Sequence, residues 1–465
     1  MTTNTINSAS NHLKSIKQET SLANVLPFTE VLSTEVLIQS FSSLEYRERC
    51  YTPDLVLLAF LSQAINADKS CQAAVARVIS HILSKGGQPP SANTAAYCKA
   101  RARLPEETIK NLTKESGRAL EREAPGQWLW RDRHVKLVDG STVSMPDTEA
   151  NQAMYPQTKS QKPGLGFPIA RVVGVVSLAT GAVLDFAIGR CSGKGTGEHA
   201  LFREIISVVE KEDILLGDRY YPSYTLLSHL VESGVDGIFP MHAGRKADFR
   251  RGKRLGKGDH LIVWSKPQRR EWMSQESYEK IPDAITLRET EITIERKGFR
   301  PKKRVLVTTF LDPEKVTQDD LASLYNERWL IETNLRAIKE TMQMGVLGAK
   351  TPEMVRKEVW VHLLAYNLIR KIMAQAAHMY CRLPKHLSFK LAAQFISSFI
   401  HGRWLTEDCQ EFLFFLKSIA YKKVGNRAGR SEPRAIKRRA KPFRKLRTPR
   451  EQYKNGTAKI DYSLS

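Results

Sequence analysis

Residues 321–340 read LASLYNERWLIETNLRAIKE. Leu321, Leu324, Ile331, Leu335 and Ile338 recur at helical spacing, so the segment is predicted to belong to one long helix starting near Thr317. At about 100° per residue these apolar positions form one stripe. Tyr325, Arg328, Glu332 and Lys339 fall in an arc of roughly 60° on its shoulder, with Arg336 just beyond. Arg328 sits ~6 Å below Glu332 along the axis and Lys339 ~10 Å above it, at a rise of about 1.5 Å per residue. One acid between two cations on one face suits a metal ligand flanked by phosphate clamps. A surface Arg–Glu pair beside a snorkelling lysine is the plainer alternative.

Outward from this helix, KLVDGS puts Asp139, and ILLGDRY puts Asp218, where short apolar strands end. Ligand and catalytic groups sit at the carboxyl ends of strands in α/β sheets, although each aspartate alone also reads as a turn residue or helix cap. HVKLVDGSTVSMP reads as a strand and ARVVGVVSLATGAVLDFAIGR as a hairpin about Thr180-Gly181. GEHALFREIISVVEKE and YTLLSHLVESG read as helices and VDGIFPMH as a strand, which together indicate an α/β domain. From about Ala243 to Arg304 the helical periodicity stops. HLIVWS and AITLRETEITIE look like strands, and ten Lys/Arg against two Asp lie between Arg245 and Arg270. RVLVTTFL then resumes as a buried strand. Near the N-terminus, Leu55, Leu57, Leu58, Leu61 and Ile65 form one helical stripe and Ala74, Val75, Val78, Ile79 and Ile82 another. The basic segment SANTAAYCKARARLP follows, with Lys99, Arg101 and Arg103. Short helices with a basic one last read as a DNA-binding unit or as a helical cap on the next domain. Residues 421–450 hold thirteen Lys/Arg and one Glu. That run is either solvated or neutralised by phosphates.

The 465 residues are 42% hydrophobic and 26% charged, which excludes disorder over the whole length. A net charge of +23 and a pI near 9.7 point to a polyanionic partner, most simply nucleic acid. The opening MTTNTINSASNHLKS is polar, so no signal peptide is expected. Val172 to Gly189 is the best membrane candidate, but Asp185 and the Thr180-Gly181 turn make it a hairpin, so no membrane partner is expected. Six scattered cysteines, without a CxxC pair, argue against zinc and a disulfide scaffold and fit a reducing cytosol.

The spacing Tyr325-x2-Arg328-x3-Glu332-x6-Lys339 resembles the signature of the DDE transposases of bacterial insertion sequences, in the group named after insertion sequence four. VDGS, LLGDRYY, KGTGEHALF at 194–202 and AYCKARARLP at 96–105 resemble further motifs of that family, and the likeness covers roughly residues 90 to 375. It implies an α/β, ribonuclease-H-like catalytic core with a β-rich insertion, plus helical N-terminal and C-terminal regions. The implied division is a helical DNA-binding domain at 1–125, a first core part at 126–242, a basic β-rich insertion at 243–304, a second core part at 305–375 and a helical, basic region at 376–465.

Asp139, Asp218 and Glu332 are the implied catalytic and metal-binding acids, holding two Mg²⁺, with Mn²⁺ able to substitute. Arg328, Lys339 and Arg336 would hold DNA phosphates, Tyr325 would position the strand, and Arg101 and Arg103 would contact DNA from the N-terminal unit. In hairpin-forming relatives a Trp begins the strand before this helix; Arg304 stands there, and Trp264 is either its substitute or a packing residue. The implied protein binds double-stranded DNA at inverted-repeat ends, cleaves them and joins the 3′ ends to a target. It self-associates in a synaptic complex and works in the bacterial cytoplasm at the nucleoid. A structure-selective DNA nuclease of the same fold and a catalytically idle, sequence-specific DNA-binding protein are the alternatives.

Overall fold

The computed structural model describes residues 34–42, 50–193, 195–294, 302–399, 410–421 and 448–457. In chain order these form α1 (Thr34–Phe41), α2 (Pro53–Ile65), α3 (Cys71–Ser84), α4 (Thr94–Arg103), α5 (Glu106–Arg122), β1 (Val135–Ser144), α6 (Glu149–Met154), β2 (Ile169–Ser177), β3 (Val183–Arg190), α7 (Glu198–Ile205), β4 (Ile214–Leu216), α8 (Tyr224–Glu232) and β5 (Asp236–Pro240). They continue with β6 (Lys253–Gly256), β7 (Asp259–Ser265), α9 (Gln275–Glu279), β8 (Ala284–Ile294), β9 (Lys302–Thr308), α10 (Gln318–Asn326), α11 (Trp329–Arg336), α12 (Pro352–Met379), α13 (Phe389–Phe399), α14 (Gln410–Tyr421) and α15 (Arg450–Lys454).

Alternation along the strands sets the layers. Leu137, Ile214, Leu216 and Ile238 face one core, whereas Val138, Leu215 and Phe239 face another. The first core is closed by α12, α2 and the Glu332 helix, and the second by α7 and α8. β1, β2 and β3 form an antiparallel meander, while β1, β4 and β5 run parallel in the order β3-β2-β1-β4-β5. A mixed five-stranded sheet in this order, with helices on both faces, is the ribonuclease-H-like core. Its β2–β3 hairpin turns through Gly181 at φ 74°, as Thr180-Gly181 led one to expect.

The insertion does not make a separate sheet. β9 pairs with β5 through Ile238–Thr308 and with β8 through Arg288–Thr308, so the described sheet runs on through β9, β8, β7 and β6 to nine strands. A break at 304 would cut β9 in the middle. Arg288 is fully buried, pairs with Asp259 and donates to Val316 O at 2.6 Å, which ties the insertion to the start of α10. There Thr317 and Asp320 form a capping box.

The helical N-terminal stretch is packed onto the core. Helix α5, which the sequence reading passed over, lies against β3 and α12. Gly117 allows this approach, since a Cβ there would come within 2.2 Å of Val183 O. Asn367 of α12 completes the junction by accepting from Val183 N–H at 2.8 Å and donating to Val183 O at 2.9 Å. Helix α12 itself runs across residue 375. Most of the basic 421–450 run lies outside the described residues.

Candidate active site

β1 and β4 are parallel with Leu137 opposite Leu216, so continuing two residues along each chain brings Asp139 and Asp218 side by side. Each carboxylate accepts one local backbone N–H: Asp139 from Gly140 at 2.8 Å, and Asp218 from Tyr220 at 2.8 Å. Burial raises the Asp139 carboxyl to about 6, and Asp218 and Glu198 push the same way, against the Gly140 N–H and the Arg328 guanidinium.

The Glu332 segment is not one straight helix. Glu327 and Arg328 separate α10 from α11 with tight bonds from Leu330 N–H to Glu327 O and from Ile331 N–H to Arg328 O. Residues 337–341 then widen into a π-turn. A constant angle per residue therefore misplaces the side chains. Arg328 donates to Glu332 at 2.6 Å, so the acid and the cation meet directly. Lys339, carried by the π-turn, donates to Ser141 Oγ at 2.9 Å, two residues beyond Asp139 on β1. Tyr325 is buried beneath Arg328, whose guanidinium lies 5.9 Å from the ring, and Arg336 is exposed. Arg328 with its partner Glu332 lies near Asp139, and Lys339 reaches Ser141; β1 runs on to Ser144, so Asp139 sits mid-strand, level with the end of β4, and not at a strand end as its apolar run suggested. Behind them, buried Arg370 of α12 donates to Asn334 Oδ1 at 2.5 Å and to the Tyr366 hydroxyl at 2.9 Å, locking α11 to α12.

Three features were missed. Glu198 opens α7 within the KGTGEHALF stretch, and its carboxylate lies over Gly140, where an added Cβ would be 2.4 Å from Glu198 Cδ. Tyr221 is wholly buried, and among the described residues its hydroxyl has no hydrogen-bond partner. Glu198, Asp139 and Asp218 surround it and raise its ionisation far above the ordinary phenol range, after burial. Trp329, beside Arg328, is 44% exposed. Only Glu198 had a sequence signal, an acid in the first turn of the helix after the hairpin.

Other candidates lie elsewhere. Arg101 is engaged inside the helical unit: it stacks over Phe60 at 4.8 Å and bonds Gln63 Oε1 at 3.1 Å, so charge alone misread it as a DNA contact, whereas Arg103 is exposed. Trp264 is a packing residue. Its indole N–H donates to Glu289 at 2.9 Å and Arg245 covers its ring at 3.7 Å, which leaves no free face for a base. Arg304 lies in the electrostatic neighbourhood of Tyr325, and its Nε is buried without a partner among the described residues.

The donor set is hard carboxylate oxygen, which suits Mg²⁺ or Mn²⁺. Burial is the main cause of the raised Asp139 carboxyl, with Asp218 and Glu198 adding to it, and a dication at this spot would counter both. Among the described residues, however, no three acids are drawn together into one metal-binding group. Arg328 holds the Glu332 carboxylate in the ion pair instead. No helix among the described residues is long and apolar enough to cross a membrane.

The family described as "Transposase DDE domain" matches residues 130–368. The chain is 29% identical over 309 residues to the transposase InsG of insertion sequence element IS4 from Escherichia coli (strain K12), spanning 65% of this chain and 66% of that relative, just under two thirds of its length. Among solved structures, the piggyBac transposase in a synaptic complex with hairpin DNA aligns at a TM-score of 0.42 and 11% identity, over 81% of this chain and 79% of that one.

Proposed function

The chain belongs to the transposase DDE domain family, and from that premise we propose that it is a cut-and-paste DNA transposase. It binds the inverted-repeat ends of a mobile element, cleaves them and joins their 3′ ends to target DNA. The observation that carries this reading is the approach of Asp139, in the middle of β1, to Asp218, just past the end of the adjacent parallel β4, with Arg328 and its partner Glu332 close to Asp139 and Lys339 bonded to Ser141 of β1.

In this reading Asp139, Asp218 and Glu332 would hold two Mg²⁺, or Mn²⁺ in their place. Such ions supply an activated water or 3′-hydroxyl and stabilise the departing phosphodiester oxygen. The chain's own residues do the rest. Arg328 exchanges Glu332 for a DNA phosphate, which would leave the Glu332 carboxylate free to serve as a cation ligand. Lys339, held near β1 by Ser141, fixes the phosphate for in-line attack. Arg336 contributes a further phosphate contact from the exposed side of α11. Arg103 and the 421–450 run extend the DNA footprint. Joining two ends requires two active sites, so the protein self-associates on DNA, at the nucleoid in the bacterial cytoplasm. Incubation of labelled terminal DNA with supercoiled plasmid and Mg²⁺ tests this reading: label transferred into the plasmid supports a transposase. Cleavage without transfer favours a nuclease, and binding alone favours an idle DNA-binding protein.

A further inference from the structure

Gln343 stands just past the π-turn that carries Lys339, and its φ is 57°. Side chains other than glycine rarely adopt this left-handed region, so the surroundings must hold Gln343 there. The chain leaves the π-turn through backbone bonds from Met342 N–H to Ala337 O, Met344 N–H to Ile338 O and Gly345 N–H to Lys339 O, at 3.0–3.2 Å. Gly345 O then accepts from Ser144 N–H at 3.1 Å, and Leu347 N–H donates to Ser144 O at 2.8 Å, which lays the segment along the end of β1. The Met342 carbonyl, in the peptide that leads into Gln343, takes its bond from elsewhere: it accepts from Lys69 Nζ. Lys69 lies 273 residues earlier, in the loop between α2 and α3 of the N-terminal helical stretch.

This lysine is half-buried and firmly placed. Its carbonyl accepts from Gln63 Nε2 at 2.8 Å, and the next residue, Ser70, caps α3 by accepting from Ala73 N–H at 3.1 Å. Its Nζ also lies 3.0 Å from Nε2 of buried His362 on α12. Nδ1 of that ring faces Glu358 O at 2.8 Å. A carbonyl only accepts, so Nδ1 carries the proton and Nε2 accepts from Lys69. Burial pushes the imidazole down to about 3, with the Lys69 charge adding to it, so the ring stays neutral. Glu358, whose charge favours the Lys69 ammonium, accepts from Gly348 N–H and Ala349 N–H at 2.8–3.1 Å. Lys69 and Glu358 therefore grip the two ends of the stretch 342–349.

We propose that Lys69 is a positioning residue for DNA cleavage: by gripping the Met342 carbonyl it fixes the exit of the π-turn, and with it the backbone from which Lys339 reaches Ser141 and the DNA phosphate. The proposal rests on the reading of Lys339 as a phosphate contact, and it gives the N-terminal helical stretch a part in the active site beyond binding DNA.

The test combines amide hydrogen exchange of the free, full-length protein with single-turnover cleavage and equilibrium binding on one terminal DNA in Mg²⁺. The variants are Lys69→Met, which keeps the stem and removes the donors, Lys339→Ala, and the two together. Lys69→Met is expected to speed exchange over 337–349 while leaving α8, on the other face of the sheet, at its wild-type rate. Its cleavage should slow at least about tenfold with DNA affinity within about twofold of wild type, since a small misplacement at the reacting phosphate is expensive. In the Lys339→Ala background the same change should slow cleavage by less than about twofold, because no side chain remains there to aim. Gln343→Gly, which adopts φ 57° without strain, should return part of the lost rate to Lys69→Met. Wild-type exchange over 337–349 would overturn the grip, and wild-type cleavage despite faster exchange would overturn its part in the reaction. Faster exchange spread evenly over the protein marks a merely structural lysine and would overturn the proposal too. So would two slowings that multiply in the double variant, or a loss of DNA affinity as large as the loss of rate. Wild-type cleavage by Lys339→Ala would instead overturn the reading of Lys339, and the proposal with it.

Discussion

Replacing Arg328 with Ala separates the ion pair seen in the structure from the phosphate contact proposed for the same guanidinium. In the free protein Arg328 pairs with Glu332 at 2.6 Å, and the Glu332 side chain is 47% exposed. A pair so open to solvent is worth ~0.3–1 kcal/mol. Losing it frees the carboxylate, so Mn²⁺ affinity is expected to rise by about two- to fivefold or stay level. On DNA the same guanidinium is assigned to a phosphate. Loss of one charge-assisted phosphate contact costs ~1.5–3 kcal/mol, or about 10- to 150-fold in rate. Overall DNA affinity should fall by much less, because many other cations share the backbone. The assay is single-turnover cleavage and equilibrium binding on one end DNA, with Mn²⁺ titration of the protein alone. A fall in Mn²⁺ affinity that matches the fall in rate would refute the exchange, because Arg328 would then be supporting Glu332 rather than gripping DNA.

Three further outcomes are expected. Because the Asp139 carboxyl is raised to about 6, Mn²⁺ affinity should fall by about tenfold per pH unit below that value. For the metal-free protein the sign reverses: a carboxyl raised on folding adds stability as pH falls from about 6 toward its ordinary value near 4, so Asp139→Asn should flatten urea midpoints over that window. Asn334→Leu strips buried Arg370 of a partner and should cost ~2–3 kcal/mol by urea unfolding, and it should slow cleavage more than it weakens DNA binding. Deleting residues 421–465 removes the run of thirteen Lys/Arg and should flatten the salt dependence of DNA binding by about 0.9 in log–log slope per lost phosphate contact, read from binding isotherms at several salt concentrations.

Much of the core was legible because its signals are local. Apolar runs ending on Asp139 and Asp218 gave two strands, and parallel register alone then brings those acids together. The spacing from Tyr325 to Lys339 gave the third segment, although a constant helical angle concealed the break at Glu327–Arg328 and the π-turn at 337–341. Past the π-turn, Lys339 meets Ser141 on β1, a contact between residues far apart in sequence. Glu198 carried a local signal as an acid in the first turn of α7, but its place over Gly140 is set by an approach between elements far apart in sequence. Arg101 and Trp264 show the opposite error. Charge and aromaticity suggested nucleic acid, but Phe60 and Gln63 hold one and Glu289 and Arg245 the other. The β-rich character of 243–304 was readable, whereas its fusion to the core through β9 was not, because strand order is non-local. Helix α5 escaped because Thr113 and Gly117 interrupt its apolar face, and it is their close packing on α12 and β3 that buries them.

The most direct test is single-turnover cleavage of terminal DNA in Mg²⁺ by Asp139→Asn, Asp218→Asn and Glu332→Gln, each alongside equilibrium binding to the same DNA. Amides keep the shape of these side chains and remove the charge that a dication needs. Cleavage is expected to vanish in all three while binding stays within a few-fold of wild type. Near wild-type cutting by any one of them would remove that residue from the cation site and contradict the account.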